Sequence, residues 1–235
     1  MAGEQLFINR PLPGAQINHA HPLAKGLVGC WLMNEQAGIR CIDSSPYGNH
    51  GTMVGFGVPA NLRSAQGIKF DGVDDYVDAG NGASLDFGTG SFTVEAWMIF
   101  NSLPIDGANH GGIGGATLVP GWNLFLVNNL LRFYLRDAGN FASGDYGYSN
   151  LLTNRWYHIV GVRNGTNLYL YVDSIQRGTT SGSTANVTNS DALTFGRAAS
   201  SWFNGTIDEV RIYNRALNKD EIKELYLNPY AMFKR

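Results

Sequence analysis

The sequence predicts an all-β protein, a two-sheet antiparallel jelly-roll β-sandwich with one short C-terminal helix. Three observations carry that expectation. Charged residues make up only 15% of the chain and aromatics 12%, with 30 glycines spread along it, a composition suited to short strands joined by glycine turns. Period-two alternation rich in aromatic and β-branched residues recurs in short runs, as in Phe92–Phe100 (FTVEAWMIF). Only one segment, near the C-terminus, carries helix start and stop signals together.

Residues 1–25 hold Pro11, Pro13 and Pro22 with little periodicity and read as an extended arm. The first strand is Gly26–Met33, followed by the polar turn region Cys41–Gly51 and short strands near Met53–Phe56, Gly67–Phe70 and Tyr76–Ala79. After Phe92–Phe100, the stretch Asn101–Gly121, with its HGGIGG run, reads as a long glycine-rich loop. Trp122–Val127 and Leu130–Arg136 make a hairpin across Asn128-Asn129, a pair that tolerates positive φ. Asp137–Asn150 reads as a polar and aromatic loop. A second hairpin joins Trp156–Arg163 to Asn167–Val172 across Asn164-Gly165, and strands near Gln176–Thr179 and Leu193–Gly196 follow.

The closing run, FNGTIDEVRIYNRALNKDEIKELY (Phe203–Tyr226), holds three signals. Asn204-Gly205 reads as a tight turn. Strict alternation over Ile207–Tyr213 puts Asp208 on the face of Val210 and Ile212, and Ile207 with Glu209, Arg211 and Tyr213. A carboxylate on an apolar face needs a cation or several hydrogen bonds to offset desolvation. The helix then starts with Asn218 as N-cap, Glu221 three residues on and a Leu217–Ile222 staple, and it ends before Asn228-Pro229. No linker divides residues 26–227, so the domains read as arm 1–25, jelly roll 26–227 and tail 228–235.

Net charge is −2 without basic runs, which argues against nucleic-acid or anionic-membrane partners. No apolar stretch approaches the roughly 20 residues a membrane span requires. The opening MAGEQLFINRPLPG lacks an export signal, so the expectation is a chain made in the cytoplasm or already trimmed. Cys30 and Cys41 show no metal-binding spacing, and Cys30 reads as a buried free thiol in an apolar strand. Asn164, Asn186 and Asn204 begin N-x-T sequons, two of them also Asn-Gly pairs whose turn chemistry explains them.

The segments FDGVDDYVDAG (Phe70–Gly80), SFTVEAWMIF (Ser91–Phe100), RWYHIVGVRNGTNLYLYVDS (Arg155–Ser174) and FNGTIDEVRIYNRALNKDEI (Phe203–Ile222) occur in that order. Together with GLVGCWLMNE (Gly26–Glu35) and the turn Asp43–Gly51, they resemble the laminin-G-like, concanavalin A-like lectin/glucanase jelly-roll domains over residues 26–227. The ending LYLNPYAMFKR is similar to ends of such domains in phage and prophage structural proteins, a weaker sign. The resemblance implies two curved sheets with function on loops and a concave face, and it does not imply one activity.

It also implies a structural calcium between an early glycine loop and the aspartate opening the last strand. Those positions are Asp71, Gly72 and Asp208, inside a chain region where Asp71, Asp74, Asp75 and Asp78 crowd together. The alternative is that Asp71 and Asp74 make Asx turns and Asp208 caps backbone amides. Glycosidases of the family place carboxylates on one strand as E-x-D-x-E; no such pattern occurs, and Glu95 stands alone as a sheet-face or ion-paired residue. His158 reads as a satisfied sheet histidine, and no nucleophile elbow, zincin or phosphate-loop motif is present. Glycan binding rests on aromatics placed in loops, with Phe141, Asp145, Tyr146, Tyr148 and Trp202 as candidates, while Trp31, Trp97 and Trp156 belong to the core. The functional expectation is a non-catalytic binding or adhesion module for a glycan or cell-surface ligand, sited on a virion or extracellular surface. The alternative is a structural or decoration protein of a virus particle, with the arm contacting neighbouring subunits.

Overall fold

The computed structural model describes residues 10–12, 14–35, 37–57, 63–64, 67–103, 109–115 and 120–234. In chain order the strands begin with β1 (Leu27–Trp31), β2 (Arg40–Cys41), β3 (Gly51–Val54), β4 (Arg63–Ser64), β5 (Gly67–Asp71) and β6 (Tyr76–Asp78). Next come β7 (Phe92–Phe100), β8 (Asn109–Gly115), β9 (Gly121–Val127), β10 (Leu130–Arg136), β11 (Phe141–Gly147) and β12 (Trp156–Asn164). The last are β13 (Asn167–Val172), β14 (Ile175–Thr180), β15 (Leu193–Phe195), β16 (Arg197–Ala198), β17 (Ser201–Trp202) and β18 (Asn204–Tyr213), before helix α1 (Lys219–Leu227).

Two antiparallel sheets form the expected sandwich. The first runs β14-β13-β12-β7-β18-β5-β4, with β1 also paired to β18; the second runs β11-β10-β9-β8-β15-β6-β3-β2. Alternate residues of both sheets meet in one core, where Ile68, Phe70, Val94, Phe100, Leu124, Phe133, Phe195 and Phe203 are fully buried. Both hairpins form where Asn pairs or Asn-Gly allow them: Asn128 and Asn129 take φ of 49° and 63°, and Gly165 takes 59°. The capping box of α1 is complete, Asn218 accepting from the Glu221 amide while Glu221 accepts from that of Asn218.

The turn region Asp43–Gly51 closes on one buried carboxylate. Asp43 accepts from the amides of Cys30, Ser45 and Asn49 and from the Ser45 hydroxyl, all at 2.7–2.8 Å. Cys30 and Cys41 are buried, form no disulfide and belong to different clusters, Cys41 in the main core and Cys30 behind the first sheet.

That second cluster shows where the arm goes. Ile17 and Leu23 pack with Tyr213, Leu217, Ile222, Leu225, Met232 and Phe233, covering the back of the first sheet. Ile17 bridges Phe233, and Asn34 donates to the Pro11 carbonyl. The arm over residues 10–12 and 14–25 is therefore docked on its own domain; residues 1–9 and 13 lie outside the described residues.

Four local expectations are corrected. HGGIGG is strand β8 in the middle of the second sheet, not a loop, and its glycines admit close neighbours: a Cβ at Gly111 would strike the Gly196 carbonyl. Phe141–Gly147 is edge strand β11, paired residue for residue with β10. Asn204-Gly205 is no turn but the start of β18, pairing with Asp71 and Phe70, because the bare Gly205 lets the Ile99 carbonyl approach. The strict alternation of β18 breaks at a bulge between Asp208 and Arg211, with Glu209 at φ 52°. The bulge returns Ile207, Val210 and Ile212 to the core and turns Asp208, Glu209, Arg211 and Tyr213 to the back. A non-glycine residue there costs about 1–2 kcal/mol, offset by the charge pairs it permits.

Candidate functional site

Asp208 sits in a buried ionic layer, not in a metal loop. Both its oxygens accept from Arg10, at 2.8 and 2.7 Å, and Arg10 also donates to the Leu32 carbonyl. Beside it, Arg211 donates to Glu95, Glu209 and the Pro229 carbonyl at 2.6 Å each, and Glu95 contacts His158 Nε2 at 2.6 Å. Burial pushes Asp208 up to about 7 and Glu209 up to about 8, with Arg10 and Arg211 only partly offsetting it. Burial also acts upward on Glu95, but Arg211 and His158 outweigh it and hold that carboxyl below its ordinary value. Glu95 is thus ion-paired as expected, whereas His158 is satisfied only at Nε2, its buried Nδ1 having no hydrogen-bond partner among the described residues.

The strand register separates Asp208 from Asp71. Asn204 pairs with Asp71 and Ile207 with Ile68, so Asp208 falls beside Gly67, at the far end of β5. The set Asp71, Gly72 and Asp208 is corrected accordingly: it does not form one site. Asp71, Asp74 and Asp75 do converge, with one carboxylate oxygen of each within 4.8 Å of the others. Asp71 makes the Asx turn, accepting from the Val73 and Asp74 amides, and Asp75 Oδ2 accepts from the Asp71 amide. Burial, and then the neighbouring Asp71 and Asp74, push Asp75 up to about 6 despite that amide. Hard oxygen donors with this charge crowding fit a hard cation such as Ca²⁺.

The ligand-binding candidates divide. Phe141 and Asp145 on β11 share the outer face of the sheet with two residues of β10 that the sequence does not single out, Arg132 and Tyr134. Arg132 grips Asp145 with two bonds of 2.8 Å and holds its guanidinium carbon 5.7 Å from the Phe141 ring centre. Three rings run across adjacent strands, Phe125 to Tyr134 at 5.3 Å and Tyr134 to Phe141 at 5.8 Å. Phe125 and Tyr134 are buried under Ala198 of the β16–β17 hairpin, whereas Phe141 is 56% exposed. The result is a flat exposed ring with a fixed donor–acceptor pair beside it.

Tyr146 has the opposite parity and packs against the core, with Arg177 5.3 Å over its ring. The side chain of Tyr148 lies outside the described residues. Trp202 lies on the β16–β17 hairpin, with Arg197 5.5 Å over its ring and the Tyr76 ring tilted against it at 5.8 Å. Nothing in the sequence marks Arg132 or Tyr134, because the glycine- and serine-rich run Phe141–Gly147 shows no strand parity of its own.

The end of the second sheet nearest Phe141 carries a small cleft. Trp122, Val187, Leu193 and Gly115 form its buried floor, and Asn81, Asp86, Asn189 and Asp191 its rim. Phe141 is paired to Arg136, which is paired to Gly121, next to Trp122. The turn at Asp137 braces this end: its carboxylate accepts from the Asn186, Gly139 and Asn140 amides and from the Asn140 side chain, which holds it down at about 2.

Residues 71–223 match the laminin G family model described as the concanavalin A-like lectin/glucanases superfamily, and the chain belongs to that family. The crystal structure of the receptor-binding domain of botulinum neurotoxin D is similar, with TM-score 0.70 and 17% identity over 89% of this chain and 54% of that one. The binding domain of Paraclostridial Mosquitocidal Protein 1 gives TM-score 0.69 and 18% identity over 89% and 53%. The binding domain of botulinum neurotoxin DC in complex with SialylT gives 0.70 and 16% over 87% and 52%. The chain thus spans about half the length of these structures, and at such identities the likeness is one of fold. No curated protein sequence matches.

Proposed function

We propose that this protein is a non-catalytic binding module that takes glycans on the outer face of its second sheet, at Phe141. The observation that carries this reading is the exposed Phe141 ring, backed by Tyr134 and flanked by the Arg132–Asp145 pair. A pyranose presents an apolar C–H face that stacks on such a ring, while its hydroxyls bond to the fixed guanidinium and carboxylate. Family membership and the likeness to receptor-binding folds support a binding role, and one of those similar structures is a complex with SialylT. The non-catalytic part rests on the buried carboxylates. Glu95, Asp208 and Glu209 all face cations in the layer beneath the arm and tail, away from either open surface.

Ca²⁺ belongs to this reading as a loop staple at Asp71, Asp74 and Asp75, on the connection between the two sheets. The binding test is a glycan array probed with wild type and Phe141→Ala. Retained signal for wild type with loss in the variant is expected. Equal binding by both would remove Phe141 from the site.

A further inference from the structure

We infer that the hollow between the end of β1 and the bulge of β18 is an arginine-binding site. The chain's own Arg10 plugs it in this structure, and the arginine of a second copy's arm takes that place when two copies meet. The site is independent of the glycan-binding face at Phe141.

The hollow holds both an arginine and the main chain that carries it. Asp208, fully buried, gives both oxygens to one guanidinium, and the Leu32 carbonyl accepts from the same group. A planar fork of donors matches this arrangement, whereas a lysine ammonium is a point charge and does not. One residue on, Asn34 Nδ2 donates to the Pro11 carbonyl. A pocket for the side chain with a main-chain bond beside it is how extended peptides are recognised.

Backbone strain shapes both walls. Met33 and Glu209 are non-glycine residues with φ of 50° and 52°, one in each wall of the hollow. Met33 stands between Leu32 and Asn34, which both bond the arm. Glu209 follows Asp208 and donates its amide to that carboxylate. Residues held in this region of φ are strained, and they cluster at ligand clamps.

The family domain demands a cation here that it does not itself supply. Asp208 lies within the matched residues 71–223, and Arg10 lies on the arm outside them. Arg211 is taken by Glu95, Glu209 and the Pro229 carbonyl. Without Arg10 the Asp208 carboxylate would keep, among the described residues, only its bond from the Glu209 amide. A buried charge left so poorly bonded is costly, so a second guanidinium is drawn to the same seat.

A second copy carries the same arm and offers the same groups, and exchange of an identical element is a low-cost route to a dimer. The Arg10 side chain is 12% exposed where that of Arg211 is closed off, and Leu12 beyond it is 80% exposed. Arg10 lies seven positions before Ile17, which bridges Phe233. That length of chain spans up to about 25 Å when extended, enough to reach a neighbouring molecule while Ile17 stays docked.

The experiment uses the full chain at pH 8.5, where Asp208 is ionised. Methylguanidinium is added to Arg10→Ala, with methylammonium at equal ionic strength as the control. At about five times the dissociation constant, methylguanidinium should raise the melting temperature by about 2–4 °C. Methylammonium should do little, and wild type, its seat filled, should not respond. Where Arg10→Ala does not fold alone, the same addition is read as recovery of its circular dichroism. No difference between the two cations overturns the arginine site. Exchange is read by NMR on isotope-labelled Arg10→Ala mixed with unlabelled Asp208→Asn, which has the arm but no charged seat. The Leu32, Asn34 and Glu209 amides should shift, or appear where the variant is unfolded alone. Unlabelled Arg10→Ala/Asp208→Asn, with no Arg10 to offer, should leave them unmoved. No change in the first mixture, or equal change in both, overturns exchange between copies.

Discussion

Arg10 and Asp208, 198 positions apart in the chain, are joined by two side-chain bonds of 2.8 and 2.7 Å. The pair is nearly dry: the Arg10 side chain is 12% exposed and that of Asp208 not at all. It ties the arm to the bulge of β18, and with it the cover over the back of the first sheet. Above about pH 8, where Asp208 is ionised, removing one partner of such a pair strands a buried charge, which costs about 3–5 kcal/mol. Arg10→Ala is therefore expected to lower the unfolding free energy from urea titration at pH 8.5 by up to that much. Arg10→Met/Asp208→Leu should recover most of it, because an apolar pair leaves no charge to strand. A single variant within about 0.5 kcal/mol of wild type would contradict the pairing.

The same layer sets a pH dependence. Folded-state values of about 7 for Asp208 and about 8 for Glu209 lie above those of the unfolded chain, where such acids titrate near 4. The folded protein then holds protons that the unfolded chain has released, so stability from this pair is full below about pH 4 and falls as pH rises to about 8. Urea midpoints at pH 5 and pH 8.5 should show the decline, and Glu209→Gln should flatten it. A rise over that interval that Glu209→Gln leaves untouched would sink the claim.

Calcium is expected to raise the melting temperature of EDTA-treated protein through Asp71, Asp74 and Asp75. Asp74→Asn should remove the response. The response should also fade as pH falls through about 6, where Asp75 protonates, because metal ligands must be ionised. A melting curve indifferent to calcium at pH 7.5 would exclude the staple.

The glycines of β8 make a packing prediction. In Gly111→Ala the new methyl meets the Gly196 carbonyl, backbone that cannot swing aside. A loss of about 1–3 kcal/mol is expected, as for other overpacked sites. Thermal unfolding measures it, and an unchanged midpoint would show that β8 and the Gly196 segment are not in contact.

The sequence disclosed the frame better than the site. Asn128-Asn129, Asn164-Gly165 and the Asn218–Glu221 box are local signals, each satisfied within a few residues, and the structure uses all three as read. The jelly roll followed from them and from the four long motifs between Phe70 and Ile222. What failed depends on distant contacts. Gly111 looks like loop glycine until Gly196 is placed against it, and Asp208 looks like a metal ligand until Arg10 arrives from the arm. The bulge at Glu209 reversed a parity that period-two reading assumed constant. Of the glycan candidates, Phe141 and Asp145 came together, but their partners Arg132 and Tyr134 are assigned only by cross-strand register.

Whether Phe141 carries glycan binding is decided by titration calorimetry of the strongest array glycan against wild type, Phe141→Ala and Trp202→Ala. Phe141 is 56% exposed, so its truncation should leave the fold intact, within about 0.5 kcal/mol of wild-type stability. Phe141→Ala is expected to weaken binding at least tenfold, about 1.4 kcal/mol, while Trp202→Ala, at a ring packed against Arg197 and Tyr76, changes little. Full affinity in Phe141→Ala, or a loss confined to Trp202→Ala, would place the glycan elsewhere and contradict the binding face proposed for β11.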